Sequence, residues 1–280
     1  AGFDDKALEI CAPTSADERG YAARLPKIMP ARYAEAGTYY SYSNMSYALL
    51  GSIVERYSRQ NFPAAVKKHI FIPLGMQNST FSPTDDEIRR LARGYLSDGT
   101  PIAYSYRYDM PAVGMSSTAS DMGRFMLAQL DEGRLGRTRI LSQMYAGSML
   151  RRHFSPHPKI AGTGLGYYEK TVSGLRTLQP SGNINGYSSF LMLIPEKNFG
   201  LFYAANISDL DFRNDIASAV IDRFFPSAPV SGDVRPTRQL PIPPDVAGYY
   251  RSNRISRHSA EKILHLFSDQ IRVSIVGNEI

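Results

Sequence analysis

Apolar residues fall on a helical period in several stretches of the chain. The clearest follows Asn44, where Met45, Leu49, Leu50, Ile53, Val54 and Tyr57 recur at helical spacing and Ser43 or Asn44 is placed to cap the first turn. A shorter helix is predicted from Pro63 to about Phe71, stopped by Pro73 and Gly75 in "IPLGM". Before these, the opening to about Pro30 reads as loop, and Asn78 to Gly114 is polar and turn-rich, with "SDGTP" a hairpin connection. The helical period returns in "STASDMGRFMLAQLDEG": Ser117 or Ser120 caps it, Met122, Phe125, Met126 and Leu130 share a face, and Gly133 ends it. Another helix, "ILSQMYAGSMLRRHF", follows directly.

From Gly162 the pattern becomes that of strands. "GLGYYEK", "LRTLQP", "GYSSFLMLIP" and "FGLFYAANI" are short, rich in β-branched or aromatic residues, and separated by turn residues, with "PEKN" at 195–198 a tight hairpin. "DFRNDIASAVIDRFF" then reads as an amphipathic helix whose Ile216, Val220, Ile221 and Phe224 cover the sheet. Helices, an antiparallel meander and a closing helix make an α+β fold. Six prolines between Pro226 and Pro244 mark 226–244 as an extended linker, and a new element begins at about 245. The chain starts without a capping or turn signal and stops in "IRVSIVGNEI", a strand pattern with no evident partner, so a piece of something longer is expected, with poor order or partner pairing after about 245.

Composition narrows the function classes. With 280 residues, 43% hydrophobic and 21% charged, the chain has the make-up of a globular protein with a substantial core. Its longest apolar runs fall well short of the ~20 residues of a membrane span, and no signal-peptide pattern opens it. The net charge of +6 comes from scattered basic pairs rather than a stripe interleaved with aromatics, which argues against nucleic acid. The single cysteine, Cys11, excludes an intrachain disulfide. His69, His153, His157, His258 and His265 have no metal-pair spacing and no carboxylate cluster beside them, and there is no glycine-rich phosphate loop, so neither metal nor cofactor is predicted.

The stretch with most chemical content is "GTYYSYSNMSYALLGSIVER", Gly37–Arg56. Taken alone, Tyr42-Ser43-Asn44 is explained as a tyrosine-rich segment whose Ser and Asn cap a helix. In context, "GTYYSYSN" running into "LLGSIVE" resembles the second motif of the serine β-lactamase-related family, which takes in class C β-lactamases, penicillin-binding peptidases and related esterases. "AGFDD", "PLGMQNSTF", "VGMSSTASDMGRFM" and "PSGNINGYSSFLMLIPEKNFGLFYAAN" resemble further family segments in the right order, over roughly residues 1–225. The resemblance implies an antiparallel sheet flanked by helices with a mostly helical second lobe, here without the N-terminal strand or strands and the nucleophile helix. An exposed apolar face is expected in consequence.

It also implies an acyl-enzyme mechanism, in which a serine of a Ser-x-x-Lys helix attacks an amide, lactam or ester. Tyr42 would then be general base and acid, and Asn44 would orient the lysine and the substrate amide. On the third-motif strand, Ser181 and Gly182 match the family, and the N–H of Asn183 would be an oxyanion donor. Pro180 falls where the family has Lys or His, and it can neither donate a proton nor carry charge. The Ser-x-x-Lys at Ser259–Lys262 lies on the wrong side of every other motif and reads as an ordinary helix start. The serine and lysine are therefore expected N-terminal to Ala1. The partners implied are a small-molecule or peptide substrate and that N-terminal segment; the compartment implied is periplasmic or cell-surface, with membrane attachment in larger members. The alternative is a catalytically inactive peptide- or muropeptide-binding module, and residues 245–280 resemble the start of a small β-rich module.

Overall fold

The computed structural model describes residues 3–4, 6, 9–208, 210–226, 246–252, 254, 256–257, 260–263 and 270–275. The elements are β1 (Cys11–Ala12), α1 (Ser15–Arg19), α2 (Tyr21–Ile28), α3 (Asn44–Ser58), α4 (Phe62–Val66), a π-helical turn (Lys67–Phe71), α5 (Ile72–Leu74), α6 (Asp85–Arg90), β2 (Tyr106–Arg107), α7 (Met110–Val113) and α8 (Ala119–Leu130). There follow β3 (Arg134–Leu135), β4 (Thr138–Arg139), α9 (Gln143–Leu150), β5 (Glu169–Val172), β6 (Leu175–Leu178), β7 (Ser181–Ile184), β8 (Tyr187–Ile194), β9 (Phe199–Ala205), α10 (Leu210–Phe224), β10 (Gly248–Arg251) and β11 (Gln270–Val273).

The sheet is the expected antiparallel meander, with β8 at its centre. β9 pairs one edge of β8 over its whole length, while β7 pairs Ser181 with Phe190 through to Ile184 with Tyr187 on a tight turn at Asn185–Gly186. Gly186 takes φ +77°, the left-handed conformation such a turn needs. β8 is apolar without alternation because both of its faces are covered. Leu191 and Leu193 join Leu178 against Met126 of α8, and Phe190, Met192 and Ile194 pack against Ala217 and Ile221 of α10. The helical lobe has its own core around Tyr21, Leu25, Met45, Ala48, Leu74 and Met110.

Several local expectations change. The opening is not loop: Thr14 caps α1, and Tyr21, Leu25 and Ile28 of α2 are buried. The helix from Phe62 continues to Leu74, because the π turn lets Ile72 N–H bond Lys67 O and places Pro73 in the first turn of α5, where its missing N–H costs nothing. Gly75, at φ +68°, is the true stop. Within 78–114, α6 forms on a capping box of Thr84 and Glu87. α8 is capped by Thr118, whose hydroxyl is the one that reaches Asp121 N–H, rather than by Ser117 or Ser120. Phe224 meets the sheet only at its edge: its ring lies 6.1 Å from that of Phe199 on β9 and it stays 65% exposed, while Ala217 and Ile221 cover β8.

The strand pattern at the C-terminus does find a partner: β10 and β11 pair antiparallel, Gly248 with Val273 through to Arg251 with Gln270. The proline-rich linker at 227–244 and Ser259 lie outside the described residues. An exposed apolar row does exist, on α3: Leu50 is 55% and Tyr57 85% exposed, with Ile53 and Val54 between them. It borders a cavity of about 490 Å³ walled by Phe62, Phe71, Met76, Met115 and Phe125.

Candidate active site around Tyr42

Helix α3 starts at this site. Ser43, extended at φ −149°, caps it by accepting Ser46 N–H at 3.4 Å, and donates its own hydroxyl to the carbonyl of Asp4 at 3.1 Å. Tyr42 immediately precedes the cap. Its ring lies 5.7 Å from that of Tyr47, one turn into the helix. The Arg254 guanidinium sits 4.7 Å from the Tyr42 ring centroid, brought there from the chain's far end.

Asn44, the first helical residue, sends its amide inward. Nδ2 donates to Asp109 Oδ2 at 3.0 Å, and the fully buried Asp109 also accepts both Nε and Nη2 of Arg107 at 2.8 Å. The Arg107 main-chain N–H in turn donates to buried Glu18 at 2.9 Å. Desolvation pushes Glu18 up to about 7, opposed chiefly by that hydrogen bond. The Asn44 side chain is thus anchored at its donor end to a buried ion pair, which fixes the start of α3 beneath Tyr42. The resemblance pointed that amide at a lysine and a substrate instead.

Around Tyr42 stand three more phenols. Tyr168, just before β5, meets Tyr40 edge to face with ring centroids 6.0 Å apart. Burial raises Tyr40, Tyr47 and Tyr168 above the ordinary phenol value; at Tyr168 the neighbouring phenols, Tyr40 first, push further in the same direction. These three are held as neutral phenols near pH 7.

Tyr168 also joins the tyrosine motif to the third-motif strand. Its carbonyl accepts Gln179 N–H at 2.8 Å, one residue before Pro180, whose own carbonyl accepts Leu191 N–H at 3.2 Å. Ser181, Gly182 and Asn183 follow on β7, paired with Phe190, Ser189 and Ser188, and both Gly182 and Asn183 are exposed. A Cβ at Gly182 would come 2.8 Å from Ser189 Oγ, so a larger residue there would have to turn that hydroxyl aside. Glu169, next to Tyr168, fixes the base of β5 by accepting Arg176 Nε at 2.8 Å, Gly162 N–H at 3.1 Å and Arg152.

Sequence reasoning placed Tyr42, Asn44 and β7 but missed Asp109, Tyr168 and Arg254. Tyr168 stood in "GYYEK" as one aromatic of a strand. Arg107-x-Asp109 carried a usable signal, an ion pair spaced to share one side of a short strand just before the apolar "MPAV". Arg254 carried none. Among the described residues, no group of three His, Cys, Asp or Glu is placed to hold a metal ion, and no helix is long and apolar enough to cross a membrane.

A family profile described as Beta-lactamase matches residues 12–223. The chain belongs to the beta-lactamase family. Among curated relatives, this beta-lactamase-family chain is 26% identical to Protein flp of Staphylococcus aureus strain MW2 over 179 residues, 61% of this chain and 34% of that protein. It is 28% identical to human Putative beta-lactamase-like 1 over 171 residues, 60% of this chain and again 34% of the relative. The match therefore spans about a third of the length of these relatives. Solved structures share the fold. A class C beta-lactamase in complex with cefoxitin superposes with a TM-score of 0.65 at 19% identity, covering 79% of this chain and 68% of that one. The octameric penicillin-binding protein homologue from Pyrococcus abyssi gives 0.55 at 24% identity, covering 72% and 45%.

Proposed function

We propose that this beta-lactamase-family chain is the tyrosine-bearing part of a serine hydrolase acting through an acyl-enzyme on an amide, lactam or ester, periplasmic or at the cell surface. The observation that carries this reading is the convergence of the Tyr42 motif and the β7 edge, joined through Tyr168. Tyr42 moves the proton. The attacking serine, with its Ser-x-x-Lys lysine, is supplied by sequence outside these 280 residues, in keeping with the greater length of the relatives.

As the serine oxygen bonds to the carbonyl carbon, its proton passes to the Tyr42 phenolate; as the carbon–nitrogen or carbon–oxygen bond breaks, Tyr42 returns that proton to the leaving group. The Asn183 N–H is the oxyanion donor on β7. Asn44 serves by holding the first turn of α3, through Asp109, in the place that aims Tyr42.

Pro180 favours a second reading: with no cation or imidazole at that position, the exposed β7 edge binds an extended peptide by strand pairing without hydrolysing it. Intact-mass spectrometry of the natural protein, before and after a fluorescent penicillin or an activated ester, separates the two. A probe-sized adduct on a serine, lost in Tyr42→Phe, supports the hydrolase. An unshifted mass together with retained peptide binding makes it the binding module.

A further inference from the structure

Two arginines three residues apart in the C-terminal module lie on two tyrosines of the body, one of them Tyr42. Arg257 stands over the Tyr33 ring at 3.9 Å, and Arg254 over Tyr42 at 4.7 Å. Arg257 is latched: its main-chain N–H donates to Asp4 Oδ2 at 2.8 Å, and its guanidinium contacts Oδ1 at 3.4 Å. Asp4, 1% exposed, is itself fixed, donating its N–H to Ala31 O at 3.2 Å and accepting the Ser43 hydroxyl on its carbonyl. One carboxylate residue thus ties the module to the cap of α3, the residue next to Tyr42. Burial in the module is confined to the stretch around the latch, where Ser256 is 3% and Glu261 5% exposed, while Tyr249 on β10 is 74% and Ile271 on β11 63% exposed.

We propose that Arg254 is a positioning residue for Tyr42. The C-terminal module, latched by Arg257 onto Asp4, lays a permanent cation on the ring of the proton-transfer residue and so completes the site. This rests on the hydrolase reading above. A phenol works as a base near neutrality only beside a positive charge, and a guanidinium keeps its charge at every working pH, with a planar face that stacks on an aromatic ring. The same contact couples module and site: whatever lifts the module from Asp4 withdraws the cation from Tyr42, and whatever engages Tyr42 together with Arg254 holds the module down.

The test uses the natural protein with Arg254→Gln, Arg254→Lys and Arg257→Gln. Arg254 is exposed, so its substitution does not threaten the core, and a thermal melt checks each variant. Hydroxyl-radical footprinting, read residue by residue by mass spectrometry, needs no activity. Arg254→Gln should raise oxidation of Tyr42 several-fold with Tyr33 unchanged, and Arg257→Gln should raise both. In acylation by a fluorescent penicillin or activated ester, Arg254→Gln should lower the maximal rate several-fold at unchanged half-saturation, and Arg254→Lys should restore most of it. The inference is overturned if Tyr42 labels alike in wild type and Arg254→Gln, or if acylation ignores the charge at 254. A wild-type protein that is never acylated sinks the hydrolase reading instead, while the footprint still decides whether Arg254 covers Tyr42.

Discussion

Asp109 is where the helical lobe meets the proposed site, and replacing it by alanine tests that role. Its carboxylate is fully buried and accepts three hydrogen bonds, one from Asn44 and two from Arg107, whose side chain is 20% exposed. Burial alone would lower the Arg107 pKa, but the hydrogen bonds and charge of Asp109 outweigh it and hold the guanidinium above its ordinary value. Asp109→Ala leaves that guanidinium mostly buried without its partner, a change that costs about 3–5 kcal/mol. For a domain of this size the melting temperature should fall by roughly 6–20 °C. Asn44→Ala removes only one charge-assisted hydrogen bond and should cost about 1.5–3 kcal/mol. Since both changes delete the same contact, a double-mutant cycle should return a coupling of ~1 kcal/mol or more. Urea denaturation followed by circular dichroism measures all three variants. If Asp109→Ala costs under ~1 kcal/mol, the level of an exposed pair, or the cycle closes to zero, then Asn44 is not anchored through Asp109 and its amide is available to a ligand after all.

Glu18 makes stability depend on pH. Its folded value of about 7 stands above the ordinary 4.5, so between those limits the folded state keeps a proton that the unfolded chain has released. Stability should therefore fall as pH rises through that window, by up to about 3 kcal/mol, and level off above it. In Glu18→Gln the slope between pH 4.5 and 7 should flatten in denaturation curves; an unchanged slope assigns it to another group. Thr84→Ala removes the capping box of α6 and should lower stability by ~1 kcal/mol, measured by the same denaturation, with no change in peptide or penicillin binding if α6 lies outside the site.

How much of this could be read from sequence depends on how local each feature is. The meander was legible because each strand pairs with a neighbour in sequence across a turn whose residues announce it, as Asn185–Gly186 does. The cap at Ser43 was legible for the same reason. α6 was missed because its apolar content is nearly nil and its capping box was the sole signal. Pro73 misled because a π turn upstream changed what a proline there costs. At the site, Tyr42 and Asn44 were found by motif, yet the motif could not say that Asn44 points at Asp109, since that pairing joins residues 65 positions apart. Strand character near the terminus was legible, and only the pairing of β10 with β11 was not, because the two lie about twenty residues apart with no tight turn between them to announce it.

The latch between Asp4 and Arg257 joins residues 253 positions apart, and that separation orders the folding of the molecule. Closing so long a loop draws on chain entropy with no local contact to help, whereas β5–β9 assemble from successive hairpins. On the ribosome Asp4 and Tyr42 emerge long before residue 257 exists. The sheet and the helical lobe can thus be native while Tyr42 still lacks its arginine. A chain interrupted after α10 would keep all of residues 12–223 that match the family, yet the step that brings Arg254 to Tyr42 would never occur in it.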